Sequence, residues 1–151
     1  MNLSLVIPAY NEESRLGAFL ESIIAYYRSH PAGIEEILIV DDGSRDATVH
    51  VAQNAAQKLS KIRVLHHEQN QGKGAAVKTG VMAARGDCIV FMDADGATPI
   101  TELPKMISAL EKADMAVGNR FLPGAKTERH TVLRKFSGFV YRKYMSLFGL
   151  A

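Results

Sequence analysis

Short apolar runs alternate with apolar residues at helical spacing along most of the chain, and this alternation constrains the fold more than any other feature. LSLVI at residues 3–7 reads as a strand, and Leu16, Phe19, Leu20, Ile23, Ile24 and Tyr27 then recur with a helical period. ILIV at 37–40 predicts a second strand, followed by a helix carrying Val51, Ala52, Ala55, Ala56 and Leu59. RVLH at 63–66 and a helix through Ala76, Val77, Gly80, Val81 and Ala84 repeat the unit. CIVFM at 88–92 with Leu103, Met106, Ile107 and Leu110 repeats it again, and MAVG at 115–118 predicts a fifth strand. Such alternation specifies an α/β fold, and near-continuous apolar strands are those of a parallel sheet covered on both faces. The expected architecture is a doubly wound, mainly parallel sheet with helices on both faces.

The bulk properties narrow the class. A chain of 151 residues that is 47% hydrophobic has the length of one domain and enough apolar surface for one core. No run approaches the roughly 18 to 20 apolar residues of a membrane-spanning helix. The start, MNLSLVIPAYNEE, lacks the basic region and small-residue cleavage site of a secretory signal, so a cytoplasmic location is expected. Cys88 is the only cysteine, which excludes an internal disulfide and a cysteine metal cluster, and its apolar surroundings predict a buried small side chain. The five histidines show no metal spacing, and no Ser or Cys is grouped with partners that would make it a nucleophile.

Charge is distributed unevenly. Residues 1–119 carry 11 Lys and Arg against 15 Asp and Glu, whereas residues 120–151 carry 7 against 1. After GNRFLPGAKTERH, a last helical pattern over 131–148 places Val132, Leu133, Phe136, Val140, Tyr144 and Leu147 broadly on one side and adds Arg134, Lys135, Arg142 and Lys143. This segment reads either as a surface for an anionic partner, a membrane or a phosphorylated substrate, or as a solvated basic helix. The pattern divides the chain into an α/β domain at 1–119 and the start of an acceptor or membrane-surface segment at 120–151, expected to be incomplete because FGLA offers no closing signal.

Ligands of open α/β sheets bind at the carboxyl ends of the strands, and the distinctive polar residues gather there. PAYNEE follows the first strand, DDGSRD the second, HEQNQGKG the third and DADGAT the fourth. Asp93 and Asp95 read as the carboxylate pair of a Mg²⁺ or Mn²⁺ site, completed by phosphates and water, or as a polar turn. NQGKGAAVKTG reads as an anion site opening a helix, with Gly72 and Gly74 allowing close approach and Lys73 adding charge, or as a glycine-led helix entry. It matches neither a Walker A loop nor a G-x-G-x-x-G fingerprint, which counts against a Rossmann oxidoreductase, a reading suggested by the α/β pattern only. Asp41 and Asp42 read as acceptors for a base or ribose, with Asp46 or Ser44 as an N-cap of the next helix the structural alternative.

Taken together, LSLVIPAYNEE, ILIVDDGSRDAT, NQGKGAAVKTG, ARGDCIVFMDADGAT and AVGNR, in this order and at these separations, resemble the family 2 glycosyltransferases of the nucleotide-sugar-binding type A fold. GKGAAVKTG with DADGAT is most similar to the dolichyl-phosphate β-glucosyltransferases, with the dolichyl-phosphate mannose synthases close behind. The resemblance covers residues 3–145. It implies that Pro8, Tyr10 and Glu12 border the nucleotide, that Asp42 hydrogen-bonds the base and that Lys73 and Gly74 lie beside the nucleotide. It places Asp93, Ala94 and Asp95 at the donor, Asp93 near ribose and metal, and Asp95 on Mg²⁺ or Mn²⁺ bridging the diphosphate. Arg120 and Arg134 are implied to bind the phosphate of a polyprenyl acceptor, with the basic helix on the cytoplasmic face of a membrane. Ala97 stands where mannose synthases often have a metal-binding glutamine, which favours the glucosyl subgroup. The implied reaction is inverting hexosyl transfer, glucose from UDP-glucose or mannose from GDP-mannose, onto polyprenyl phosphate; donor binding without transfer is the other outcome for a chain of this length. No nucleic-acid partner is expected.

Overall fold

The computed structural model describes residues 2–119. Arg120, Arg134 and the helix expected over 131–148 lie outside the described residues. By internal packing the chain divides into two units, Met1–Lys105 and Met106–Ala151. The first contains every described strand; of the second, the end of one helix and an irregular stretch to residue 119 are described.

Four parallel strands, β1 (Leu3–Ala9), β2 (Ile34–Asp41), β3 (Ile62–His66) and β4 (Cys88–Phe91), form one sheet in the order β3-β2-β1-β4. They alternate with α1 (Glu13–Ser29), α2 (Thr48–Lys58), α3 (Lys73–Ala83), a 3-10 turn (Ile100–Glu102) and α4 (Leu103–Ala109). The chain lays down β1, β2 and β3 in one direction, then returns to place β4 against the other edge of β1. That reversal leaves a crevice at the carboxyl ends of β1 and β4, the position at which doubly wound sheets bind ligands.

The centre of the sheet is buried. Leu5, Val6, Ile7, Ile37, Leu38, Ile39 and Val40 are fully buried, and α1 contributes Leu16, Phe19, Leu20, Ile23 and Ile24. Each such side chain stabilises the fold by about 1.5–3 kcal/mol relative to exposure. α3 packs closely because residue 80 is glycine: a Cβ there would stand 2.3 Å from Val6 Cγ1. Its first turn is thereby held near the strand ends that carry the polar loops.

Four local expectations need correction. The fifth strand is absent among the described residues: 115–118 is irregular, with Met115 and Val117 exposed, because four apolar residues make a strand only where a neighbouring strand pairs with and covers them. β2 begins three residues earlier than its apolar run, since Glu36 is buried by accepting from Ser4 Oγ at 2.9 Å, the Arg85 amide at 2.6 Å and the Arg63 guanidinium. Among the described residues β4 is an edge strand, and covering of both faces fails there: Ile89 and Phe91 are exposed. Cys88, on the same edge strand, is half-buried rather than buried.

Candidate active site

The loops after β1 and β2 are stitched together by short polar side chains. The Asn11 amide donates to Ser44 Oγ at 2.9 Å and the Arg45 amide to Asn11 Oδ1 at 2.9 Å. The Glu12 amide donates to Thr48 Oγ1 at 2.8 Å, the Glu13 amide to Asp46 Oδ2 at 3.2 Å and the Ala47 amide to Glu13 Oε2 at 2.8 Å. Asn11 adopts a positive φ of 53° to make this turn, a conformation asparagine tolerates better than most residues. Neither Ser44 nor Asp46 occupies the cap position of α2, which Ala47 holds. Asp46 instead accepts from the Thr48 amide at 3.0 Å and Ser44 serves the β1 loop. Burial would raise the Asp46 pKa, but the Thr48 hydroxyl and the amides of Thr48 and Glu13 hold it below the ordinary value.

A pocket of about 410 Å³ lies over the crevice between β1 and β4. Its wall contains Pro8, Tyr10 and Glu12 from the β1 loop, Asp42 from the β2 loop, Lys73 from α3, and Asp93, Ala94 and Asp95 from the β4 loop. Eight of the nine residues expected at a donor site are thus brought together. Gly74 is not in the wall; it lies one residue into α3, with nothing within 4 Å of where its Cβ would stand. Tyr10 is exposed, whereas Ala94 is buried and forms part of the floor.

The charges in the pocket are arranged by topology. Lys73 Nζ reaches Asp93 Oδ1 at 2.5 Å across 20 residues of sequence, with both side chains more than half exposed. Asp95 Oδ1 accepts from the Ala97 amide at 2.9 Å, an Asx-type turn that fixes the carboxylate at the pocket rim, and Gly96 supports the turn with φ +68°. The turn and the ligand readings of Asp95 are therefore compatible. Glu12 Oε1 pairs with Arg15 at 2.7 Å, while Glu12 Oε2 is buried and takes no hydrogen bond from the described residues. An unpaired buried acceptor in a pocket wall suits a ligand that brings an O–H or N–H donor.

Among the described residues no cluster of three or more His, Cys, Asp and Glu forms a metal cage. Two exposed carboxylates are nonetheless the donor set that Mg²⁺ uses when phosphates and water complete its shell. Asp93 and Asp95 fit such an ion.

Asp42 differs from the other carboxylates in the pocket. Only 2% exposed, it accepts from His67 Nδ1 at 2.7 Å, the Gln71 amide at 3.0 Å, Asn70 Nδ2 at 2.9 Å and the Gly72 amide at 2.8 Å. Burial would raise its pKa, but the Gln71 amide, His67 and the Gly72 amide outweigh that and hold it below the ordinary aspartate value. Two amides at the entrance of α3 thus already face an anion, one supplied by the protein itself. His67 and Asn70 were not anticipated from the sequence; the adjacent pair His66–His67 at a strand end was the available signal.

The sequence profile described as Glycosyl transferase family 2 matches residues 4–149, nearly the whole chain. The chain belongs to this family. A dolichyl-phosphate beta-glucosyltransferase of Trichomonas vaginalis is 37% identical over an alignment covering 97% of this chain and 47% of that protein. The Drosophila melanogaster dolichyl-phosphate beta-glucosyltransferase is 42% identical, covering 74% and 36% respectively. The chain spans about half the length or less of these relatives. Among solved structures, a mannosyltransferase of Pyrobaculum calidifontis in complex with GDP-Man and Mn²⁺ superposes with a TM-score of 0.63 at 22% identity, covering 74% of this chain and 33% of that one. That likeness is one of fold, and it agrees with the family 2 architecture of a parallel sheet flanked by helices. No helix among the described residues is long and apolar enough to cross a membrane.

Proposed function

We propose that the protein containing this chain transfers glucose from UDP-glucose to a polyprenyl or dolichyl monophosphate at the cytoplasmic face of a membrane, and that residues 1–119 form its donor site. The observation that carries this reading is the convergence of Glu12, Lys73, Asp93 and Asp95 on one pocket at the β1/β4 crevice. The glucosyl identity is supported by relatives 37–42% identical that carry this activity in their names. Ala97, in place of a further ligand, supports the same choice.

In this reading Pro8 and Tyr10 border the nucleotide, Glu12 accepts from a donor hydroxyl, and Gly74 and Ala94 leave room beside the diphosphate. Asp93 and Asp95 hold Mg²⁺ or Mn²⁺, which when bound neutralises charge on the departing nucleoside diphosphate. Lys73 moves from Asp93 to the diphosphate and stabilises the same developing charge. The acceptor phosphate is anionic at neutral pH and attacks without a strong general base. Its in-line approach inverts the anomeric centre. Arg120 and Arg134 bind that phosphate, and the basic segment over 131–148 rests on the membrane surface.

The decisive experiment incubates the full-length protein with UDP-glucose or GDP-mannose, Mn²⁺ and polyprenyl phosphate and follows sugar into the lipid phase. Transfer from UDP-glucose alone is the expected result. Transfer only from GDP-mannose reassigns the sugar, and donor binding without transfer from either overturns the enzymatic reading.

A further inference from the structure

The two oxygens of Asp42 are held by different kinds of donor. Oδ1 accepts from His67 Nδ1 at 2.7 Å and the Gln71 amide at 3.0 Å, whereas Oδ2 accepts from Asn70 Nδ2 at 2.9 Å and the Gly72 amide at 2.8 Å. The two side-chain donors have opposite surroundings. Asn70 is exposed and lines the pocket, so its carboxamide is free to turn away when a ligand offers a donor of its own. His67 has a side chain only 9% exposed and is tied at its far end, where Nε2 lies 2.9 Å from Thr79 Oγ1 in the second turn of α3. Oδ1 is therefore the anchored oxygen and Oδ2 the exchangeable one.

The second contact of the histidine sets the first. Facing a carboxylate, Nδ1 carries the ring proton, and Nε2 of the neutral ring then accepts from the Thr79 hydroxyl. Bonds at both nitrogens fix the plane of the ring, and with it the direction from which Oδ1 is held. The backbone supports the same frame: Gly43, immediately after Asp42, has φ +70°, and a Cβ there would lie 2.5 Å from the Gln69 carbonyl carbon. The β2 loop and the loop entering α3 thus lie in contact at a point where no side chain fits.

We infer that His67 is a positioning residue for the nucleoside end of the donor: with Thr79 fixing its ring, it anchors the Asp42 carboxylate so that Oδ2 meets an N–H or O–H of the nucleoside. This deepens the donor-site reading and rests on it. An unanchored Asp42 weakens a nucleoside by the same factor as its diphosphate, because in that reading the phosphates lie at Lys73 and the metal. The loss falls on binding in the ground state and the transition state alike, so it enters KM and leaves kcat. A shifted α3 would instead misplace Lys73, which is felt only when phosphates are present.

The test uses the full-length protein, with UDP and Mn²⁺ by calorimetry, uridine by saturation-transfer NMR and UDP-glucose by turnover. His67→Leu is expected to raise the Kd for uridine and for UDP by a common factor of roughly ten, the scale of one lost charge-assisted hydrogen bond, and to raise KM for UDP-glucose alike. Its kcat should change by less than about twofold. His67→Asn, whose amide nitrogen takes the place of Nδ1, should recover most of the affinity. Thr79→Val should weaken uridine and UDP together by about two- to fivefold, and should have no effect in the His67→Asn background, where the shorter side chain does not reach residue 79. Weakening of UDP without uridine overturns the inference in favour of a role in placing α3 and Lys73. An unchanged uridine Kd in His67→Leu, no recovery in His67→Asn, or a Thr79→Val effect that ignores residue 67 overturns it as well. If His67→Leu does not fold, His67→Asn and Thr79→Val, singly and combined, still decide. A wild-type protein that binds neither UDP nor GDP refutes the donor-site reading itself, a different result from any of these.

Discussion

Both ends of β2 bury a carboxylate, and both carboxylates receive the amides that flank α3. At the amino end Glu36 takes the Arg85 amide, just past the helix, together with Ser4 and Arg63; Ser4 Oγ also accepts from the Gly86 amide at 2.9 Å. At the carboxyl end Asp42 takes the Gln71 and Gly72 amides just before the helix. Burial alone would raise both pKa values; the pairing with Arg63 and the Arg85 amide lowers that of Glu36, as the loop donors lower that of Asp42. One chemical device is thus used twice on one helix. What differs is the surroundings: the Glu36 end closes on protein groups alone, while the Asp42 end adjoins the exposed charges Lys73, Asp93 and Asp95. The same hydrogen bonding secures the fold at one end and borders the pocket at the other.

Substitutions should separate the two ends. The largest expected effect is on chemistry: Asp95→Ala should lower glucosyl transfer by the full-length protein at least about a hundredfold, with stability nearly unchanged because the side chain is exposed. Assay of turnover beside a urea melt checks both halves, and unchanged turnover removes the metal role. Glu36→Ala should do the reverse. Leaving Arg63, Ser4 and the Arg85 amide without their acceptor should cost about 3 kcal/mol in denaturant unfolding, while the folded fraction binds UDP as wild type does. Gly80→Ala, which sets a methyl group against Val6, should cost about 1–3 kcal/mol by overpacking; a thermal melt unchanged from wild type would show that α3 can back away from the sheet.

Acid should loosen both ends together. Glu36, Asp42 and Asp46 have folded pKa values below the ordinary 4.5 and 3.8, so the stability they contribute is full above those values and is lost as pH falls through the lower, folded ones. Urea melts stepped from pH 6 to pH 3 should show this decline. A flat profile would mean the acidic hydrogen bonds persist in the unfolded chain. The smallest effect is that of Lys73→Met on the protein without nucleotide. Its ion pair with Asp93 is exposed, worth under about 1 kcal/mol, so Mn²⁺ binding to the variant should tighten by no more than about fivefold, as read by calorimetry.

Much of this fold is visible in the residues. The period of apolar positions identified four strands and the helices after them, because burial of one stripe per helix and of both faces of a central strand leaves that record. It overreached at 115–118, where apolar residues have no neighbouring strand to pair with. It fell short at residues 34–36, where Glu36 is a strand residue only because Ser4, Arg63 and Arg85 come from three distant places to receive it. The candidate site was legible as four unusual loops at strand ends, Asp93 and Asp95 foremost. Asp42 and His67 were visible as residues but not in their relation, since 25 positions separate them and no local pattern links an aspartate after β2 to a histidine after β3.

The sequence by itself therefore determined the alternation of strands and helices, the strand ends at which chemistry gathers and the membership of family 2, all properties of local pattern and of motif order. Only the tertiary structure decided which carboxylates of the pocket wall are exposed and which already hold several donors of the protein. Asp93, Asp95 and Asp42 are the same residue type at equivalent strand ends, and what distinguishes them is how many donors the folded chain brings within 3 Å. Donors are counted in space, and a sequence orders residues only along a line.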